Sequence, residues 1–237
     1  VQNGKFVADV LYYYGDHVPN VFSNKQTDPS GALPGFDYDV TDETIFKQLK
    51  VKDRKIVVPG GIEYKVLVLP DHKVLSFDVL KKLESILSQG AEVIGYKPER
   101  LISLTGDEKA QREFNDLADQ IWGDVTQEKG SRKYKKGIIS WGVSSRDYLM
   151  AKGVSPDFEF SNGNEGDYDY IHYTIGDSEV YFVSNQTEDT RSFESVFRVQ
   201  GRQPELWDAL TGEIREATAF TQLNDRTIVP LTLDPYG

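Results

Sequence analysis

Short apolar runs alternate with stretches of helical spacing through the first two-thirds of the chain, and near Pro156 the helical spacing stops. That change of period constrains the fold more than any other feature. Strands separated by helices pair in parallel through right-handed crossovers. Strands joined by turn signals alone pair antiparallel and pack sheet on sheet.

In the first part, residues 5–14 are rich in β-branched and aromatic residues and stop at Gly15, and residues 64–69 form a continuous apolar run suited to a strand covered on both faces. Ser76 caps a helix carrying Leu80, Leu83 and Leu87 on one side and Gly90 at its end. Residues 91–95 are the next strand. Asp107 opens a helix striped by Ala110, Phe114, Leu117, Ala118 and Ile121; a strand comes next over 137–141, and Ser144 begins a short helix. Between Asp16 and Phe36 the pattern lapses into Asn, Ser, Pro and Gly, a long loop of the kind that carries function. Thr41-Asp42-Glu43 then starts a helix expected to reach Leu49. Residues 161–166 are a linker by composition, and short strands succeed it at 171–175, 179–184, 193–199, 218–223 and 227–233. The expected fold is α/β plus all-β. Residues 1–160 form a flavodoxin-like three-layer parallel-sheet domain with a long loop at 16–36. Residues 161–237 form a small antiparallel β-sandwich, incomplete at its C-terminus.

A chain of 237 residues can bury two cores, and 38% hydrophobic with 12% aromatic residues suits a folded protein. The net charge of −11 argues against a nucleic-acid groove. The basic run Arg132-Lys133-Tyr134-Lys135-Lys136 reads as a solvated loop ahead of a strand. Absent cysteine removes disulfides, thiolate metal sites and cysteine nucleophiles without fixing the compartment. No window approaches the roughly 18 apolar residues of a membrane span. The N-terminus lacks a signal-peptide pattern and reads as a chain entered midway.

Several motifs, in order, resemble one family. The segment from Phe6 to Gly15, FVADVLYYYG, is similar to the stretch just downstream of the catalytic barrel in α-L-rhamnosidases of glycoside hydrolase family 106. Gly35-Phe36-Asp37-Tyr38-Asp39 resembles that family's G-(Y/F)-D-Y-D stretch, and YKVLVLP from Tyr64 and ADQIWG from Ala118 resemble its parallel-sheet domain. YFVSNQ from Tyr181 and Glu205-Leu206-Trp207-Asp208 resemble its terminal sandwich. The resemblance implies a glycosidase as the parent enzyme, with the catalytic carboxylates on an upstream barrel outside this segment. It suggests a bacterial enzyme and an exported one, periplasmic or at the surface; the sequence itself leaves the address open. The implied partners are the rest of the parent polypeptide and carbohydrate, with no nucleic acid, no membrane insertion and no cofactor.

Glycoside hydrolysis needs two carboxyl groups about 5–5.5 Å apart for retention or 6.5–9.5 Å for inversion. Among 38 acidic residues such pairs arise cheaply. No catalytic residue is assigned. Asp37 and Asp39 flank Tyr38 after the long loop, a position suited to the lip of a sugar cleft; a turn held by Asp side chains is the ordinary alternative. Asp16 and His17 come directly after the first parallel strand, where open α/β sheets place ligands. Tyr12, Tyr13 and Tyr14 could border such a site but suit packing better. The substrate-contact candidates are thus Asp37, Tyr38, Asp39, Asp16 and His17. Asp167-Tyr168-Asp169 reads as a polar strand entry, Trp122 and Trp141 as core, and Trp207 as a packing anchor. His17, His72 and His172 lie in no metal-ligand spacing, and no metal site is expected. Asn185-Gln186-Thr187 fits a glycosylation sequon, a pattern common by chance.

Three functions compete: an accessory region of a rhamnosidase-like hydrolase, a freestanding carbohydrate-binding protein using the β-sandwich, and an enzyme on the parallel sheet. An amidotransferase of the third kind needs a cysteine, and a flavin enzyme needs a phosphate-cradling loop not found here. The first reading is preferred.

Overall fold

The computed structural model describes residues 4–17, 25–103 and 108–237. It divides into two compact units: Val7–Leu33 with Asp37–Lys152, and Val1–Phe6 with Pro34–Phe36 and Gly153–Gly237. The architecture is α/β plus β. Strand Phe158–Phe160 pairs antiparallel with Arg191–Phe197, so it goes with the second unit rather than ending the first.

The first unit is built on a six-stranded sheet. Its strands are β1 (Val10–Tyr13), β2 (Tyr38–Thr41), β3 (Val66–Val68), β4 (Glu92–Ile94), β5 (Gly130–Tyr134) and β6 (Gly137–Trp141). The order across the sheet is β5-β6-β4-β3-β1-β2. All neighbours are parallel except β5 on β6. The apolar runs read as buried strands are buried: Val10, Leu11, Val66, Leu67, Val93 and Ile139 are at most 1% exposed. Helix α1 (Phe77–Gln89) starts where the Ser76 side chain accepts the Val79 N–H and stops at Gly90, whose φ of 114° is left-handed. It buries Val79, Leu80, Leu83, Ile86 and Leu87. Helix α2 (Glu108–Trp122) buries Phe114, Ala118, Ile121 and Trp122, and the Trp122 indole N–H donates to the Gly95 carbonyl. Its expected opening residue Asp107 lies outside the described residues, as do residues 18–24 of the long loop. Helix α3 (Ser145–Ala151) is capped by Ser144.

Two expectations need correction here. The helix expected to reach Leu49 is a single turn, Glu43–Phe46, capped by Asp42. The chain then forms Lys50–Lys52, which folds back on Lys55–Val57 through Asp53 and Arg54, both at positive φ. An Asp-Arg pair lacks the glycine that marks most such turns, so local composition hid it. The basic run is not a loop: Arg132, Lys133 and Tyr134 belong to β5, the edge strand, where lysines discourage further strand pairing.

The second unit contains two antiparallel sheets and a separate hairpin. One sheet orders β7 (Phe158–Phe160), β10 (Arg191–Phe197), β14 (Arg226–Leu233) and β13 (Thr221–Leu223) as β7-β10-β14-β13. The other orders Lys5–Phe6, β8 (Tyr168–Ile175) and β9 (Ser178–Asn185). The core is aromatic. Phe158, Tyr168, Tyr170 and Phe193 are buried together, and Phe160, Tyr181, Val183, Phe197, Leu231 and Leu233 pack on them. The hairpin β11 (Glu205–Trp207) and β12 (Ile214–Glu216) joins neither sheet. Trp207, expected as a packing anchor, is 70% exposed there. A two-stranded ribbon has one layer, so its side chains find no opposing core within this unit.

Candidate functional site

Strands β1 and β3 are neighbours, yet between them the chain visits the far edge at β2. Their carboxyl ends therefore flank the point where strand order reverses, which is where open α/β sheets bind ligands. Gly15, Asp16 and His17 leave β1 at this point, and Pro70, Asp71 and His72 lie just beyond β3. Gly15 has φ +97°, and a β-carbon there would overlap the His72 ring, so the sharp turn and the close approach both require glycine. The His17 and His72 rings lie 3.8 Å apart, centroid to centroid, tilted by 54°. Asp16 Oδ2 accepts the Ser76 N–H at 2.6 Å, tying the turn to the start of α1.

Three polar atoms here are buried without a hydrogen-bond partner among the described residues: Asp16 Oδ1, His17 Nδ1 and His72 Nε2. Burial raises the Asp16 carboxyl above the usual range, with the Glu43 charge adding; hydrogen bonds from Ser76 and the Lys47 charge oppose it without cancelling it. Burial first, then His17, lowers the His72 imidazole against an opposing pull from Asp71. A neutral imidazole offers one donor and one acceptor, and a carboxyl adds an acceptor. Such a mixed set matches hydroxyl groups. Asp16, Asp71 and Glu43 make the surroundings poor for an anion. Among the described residues no group of three or more His, Cys, Asp or Glu is placed to hold a metal ion.

Among the hydrogen bonds of the described residues, none joins Asp37 or Asp39 to the imidazole pair. Asp37 is 3% exposed; it meets the Lys25 ammonium at 3.2 Å and accepts the Tyr38 N–H at 2.9 Å. Asp39 accepts the Val40 N–H at 2.7 Å and the Tyr64 hydroxyl at 2.6 Å, and burial together with this bond raises Tyr64 far above its ordinary range. Tyr38 is buried at 8% exposure. These carboxylates bond the backbone at the strand entry. Asp167 and Asp169 do the same, accepting the Asn164 and Tyr170 N–H groups.

Residues 1–222 match the family described as alpha-L-rhamnosidase, glycoside hydrolase family 106. The chain belongs to this family. It is 29% identical to a rhamnosidase from Novosphingobium sp. PP1Y, with a TM-score of 0.83, covering 100% of this chain and 22% of that one. A Formosa agariphila protein carrying a provisional β-glucuronidase name is 32% identical over 234 residues, which is 98% of this chain and 19% of the relative. A β-galactosidase from Bacillus circulans sp. alkalophilus, 11% identical with a TM-score of 0.55, shares the fold alone. The chain thus spans about a fifth of the length of its rhamnosidase and curated relatives.

This α-L-rhamnosidase family member holds one further constellation that spacing did not reveal. Asp157 and His172 are 2% and 5% exposed in the second unit. His172 Nδ1 meets Asp157 Oδ2 at 3.0 Å and Nε2 meets Glu179 Oε2 at 2.9 Å. The Tyr181 hydroxyl donates to Asp157 Oδ1 at 3.0 Å, its ring stacks on His172 at 3.9 Å, and Arg198 adds a charge at 3.3 Å. Burial alone would raise Asp157, but the His172 hydrogen bond and the His172 and Arg198 charges reverse it to a net lowering. The alternation Tyr168, Tyr170, His172 along β8 was the available signal, since it puts His172 on the inward face. Both imidazole nitrogens are occupied, so the cluster is a staple. Asn185 of the sequon is 1% exposed, with its amide bonded to the Asp189 and Asp234 carbonyls, so it presents no acceptor nitrogen to a glycan.

Proposed function

We propose that this chain is a non-catalytic accessory region of a larger glycoside hydrolase resembling α-L-rhamnosidases. In this reading the parallel-sheet unit is a flavodoxin-like three-layer domain and the second unit a small antiparallel β-sandwich. Together they support the catalytic barrel. The strand order β2-β1-β3-β4-β6, parallel throughout, supports the first assignment, and two antiparallel sheets over an aromatic core support the second. The observation that carries the reading is length: the whole chain aligns with 22% of a rhamnosidase. Asp16, His17 and His72, with their unpartnered polar atoms, contribute a lip that contacts sugar hydroxyls in the assembled enzyme.

The test is hydrolysis of an aryl α-L-rhamnoside. The 237-residue chain should release no aryl alcohol above buffer, whereas the longer polypeptide containing it should. In that polypeptide, His17→Gln and His72→Gln should raise KM with kcat little changed, the signature of lost ground-state contact. Turnover by the chain alone would refute the accessory reading. The exposed Trp207 favours a second reading, a carbohydrate-binding surface on the hairpin, because aromatic faces can cover sugar CH groups. Calorimetric titration with a sugar panel decides it; a flat response removes it.

A further inference from the structure

The hairpin β11–β12 breaks three rules at once. An isolated two-stranded ribbon is marginal in water, yet this one turns apolar groups outward instead of onto a core. Trp207 and Ile214 are direct cross-strand partners on one face, 70% and 55% exposed, and Leu210 at the tip is 96% exposed. Glu205 and Glu216 are also directly opposite each other, a like-charge pair that costs stability in a free hairpin. By strand alternation these two glutamates share the face of Trp207 and Ile214. Glu205 further accepts the Trp207 indole N–H at 3.1 Å.

The tip is nonetheless built. Asp208 Oδ1 accepts the Leu210 and Thr211 N–H groups at 2.8 Å each, the Gly212 N–H reaches the Asp208 carbonyl at 2.9 Å, and Gly212 takes φ +73°. At the base, Ala217 N–H reaches the Pro204 carbonyl at 3.0 Å, and Ala217 is buried. The ribbon is held at both ends while it presents Trp207 and Ile214 with two carboxylates along its strands and Leu210 at its tip.

We infer that this hairpin is a docking arm that inserts Trp207, Leu210 and Ile214 into an apolar socket rimmed by basic side chains on another part of the same polypeptide. This rests on the reading of the chain as a region of a larger enzyme. About four-fifths of the length of the rhamnosidase it matches lies outside the aligned part, so most of that chain is available to cover such an arm. Charge selects the kind of socket: paired glutamates beside an indole that docking would bury are relieved by Lys or Arg, the groups that complete a desolvated aromatic anchor. The hydrogen-bonding side chain beside the ring, Glu205, is already engaged with the indole N–H, while Ile214 across the strand and Leu210 at the tip extend the apolar surface that a socket would cover. A second copy would bring its own glutamates against these and repel.

The experiment is hydrogen exchange on the 237-residue chain by itself and within the longer polypeptide. Amides in 205–216 should exchange at least tenfold more slowly in the longer polypeptide. Glu205→Lys with Glu216→Lys, which leaves the turn and the apolar groups intact, should abolish that protection, and Trp207→Ala should do the same. Protection elsewhere with none in 205–216 overturns the arm and leaves the larger-enzyme reading standing. No protection anywhere overturns both. Dimerisation of the chain in sedimentation velocity that Trp207→Ala removes, or quenching of Trp207 emission by L-rhamnose, overturns the arm in favour of a second copy or a sugar.

Discussion

His172→Phe would test whether the buried Asp157–His172–Glu179 cluster is the staple its geometry describes. Phenylalanine keeps a ring against Tyr181 but removes the donor to Asp157 Oδ2, leaving a carboxylate 2% exposed. Removing one partner of a buried charged pair costs about 3–5 kcal/mol. The Tyr181 hydroxyl and Arg198 still reach Asp157 Oδ1, so the low end, about 3 kcal/mol, applies. At about 2–4 °C per kcal/mol for a chain of this size, melting should fall by on the order of 10 °C. The acid limb gives a second readout. Asp157 is lowered in the folded chain, so its contribution is present above the unfolded value of about 3.9 and is lost as pH falls through the folded value. The variant loses the His172 hydrogen bond and charge and keeps the burial, so acid loss should begin at higher pH. Asp157→Asn on top of His172→Phe should recover part of the stability, because no charge is then buried. Urea titrations by far-UV circular dichroism from pH 3 to 7 measure all of this. A loss below about 1 kcal/mol with an unmoved acid limb would refute the reasoning.

Gly15→Ala should cost at least the roughly 1–3 kcal/mol of a strained backbone, since φ is +97° and the new carbon meets His72; Gly60→Ala, with nothing within 4 Å, is the thermal-melt control. Leu83→Ala, at 0% exposure on the buried face of α1, should lose about 2–5 kcal/mol in urea. Asp16→Asn keeps an acceptor for the Ser76 N–H and removes a buried charge, so the urea midpoint at pH 7 should hold or rise, and a fall counts against the burial argument. The folded His72 imidazole is lowered by burial and His17, so its contribution is present above the ordinary histidine range and is lost as pH falls through the folded value. Hydrogen-exchange protection at residues 70–76, taken relative to intrinsic rates, should therefore fall as pH drops below the ordinary histidine range, and His72→Gln should flatten that response.

Sequence spacing located what local chemistry controls. Ser76, Gly90 and the Leu80, Leu83 and Leu87 stripe bounded α1 to within a residue, because cap and stripe act within a few residues of where they sit. The run 64–69 predicted a strand buried on both faces, and Val66, Leu67 and Val68 are at most 6% exposed. Pairings distant in sequence were illegible. His17 and His72 meet only because β1 and β3 lie side by side, and His172 meets Asp157 only through the fold of the second unit. Asp16 and His17 were singled out from the rule that ligands gather at strand ends, while nothing local in the sequence distinguishes His72, which the fold places beside them. Trp207 was misjudged for a related reason: burial depends on what lies opposite, and a hairpin motif carries no record of its partner.

Among the described residues, two groups of departures from good local rules stand out. By contrast, Ser76 caps α1, the buried Asp37 is bonded, and the most buried histidine has both nitrogens occupied. At the turn after β1, a carboxyl oxygen and two imidazole nitrogens stand unpartnered, and on the β11–β12 hairpin a tryptophan and a leucine face solvent beside opposed glutamates. Sequences that otherwise agree with their fold at every level keep such conflicts where function requires them. Polar atoms without partners suit a polar small ligand, and a rigid apolar knob with uncompensated charge suits a protein surface. On the reading proposed above, the two conflicts should vanish separately, the first on adding sugar to the longer polypeptide and the second on assembly of that polypeptide itself.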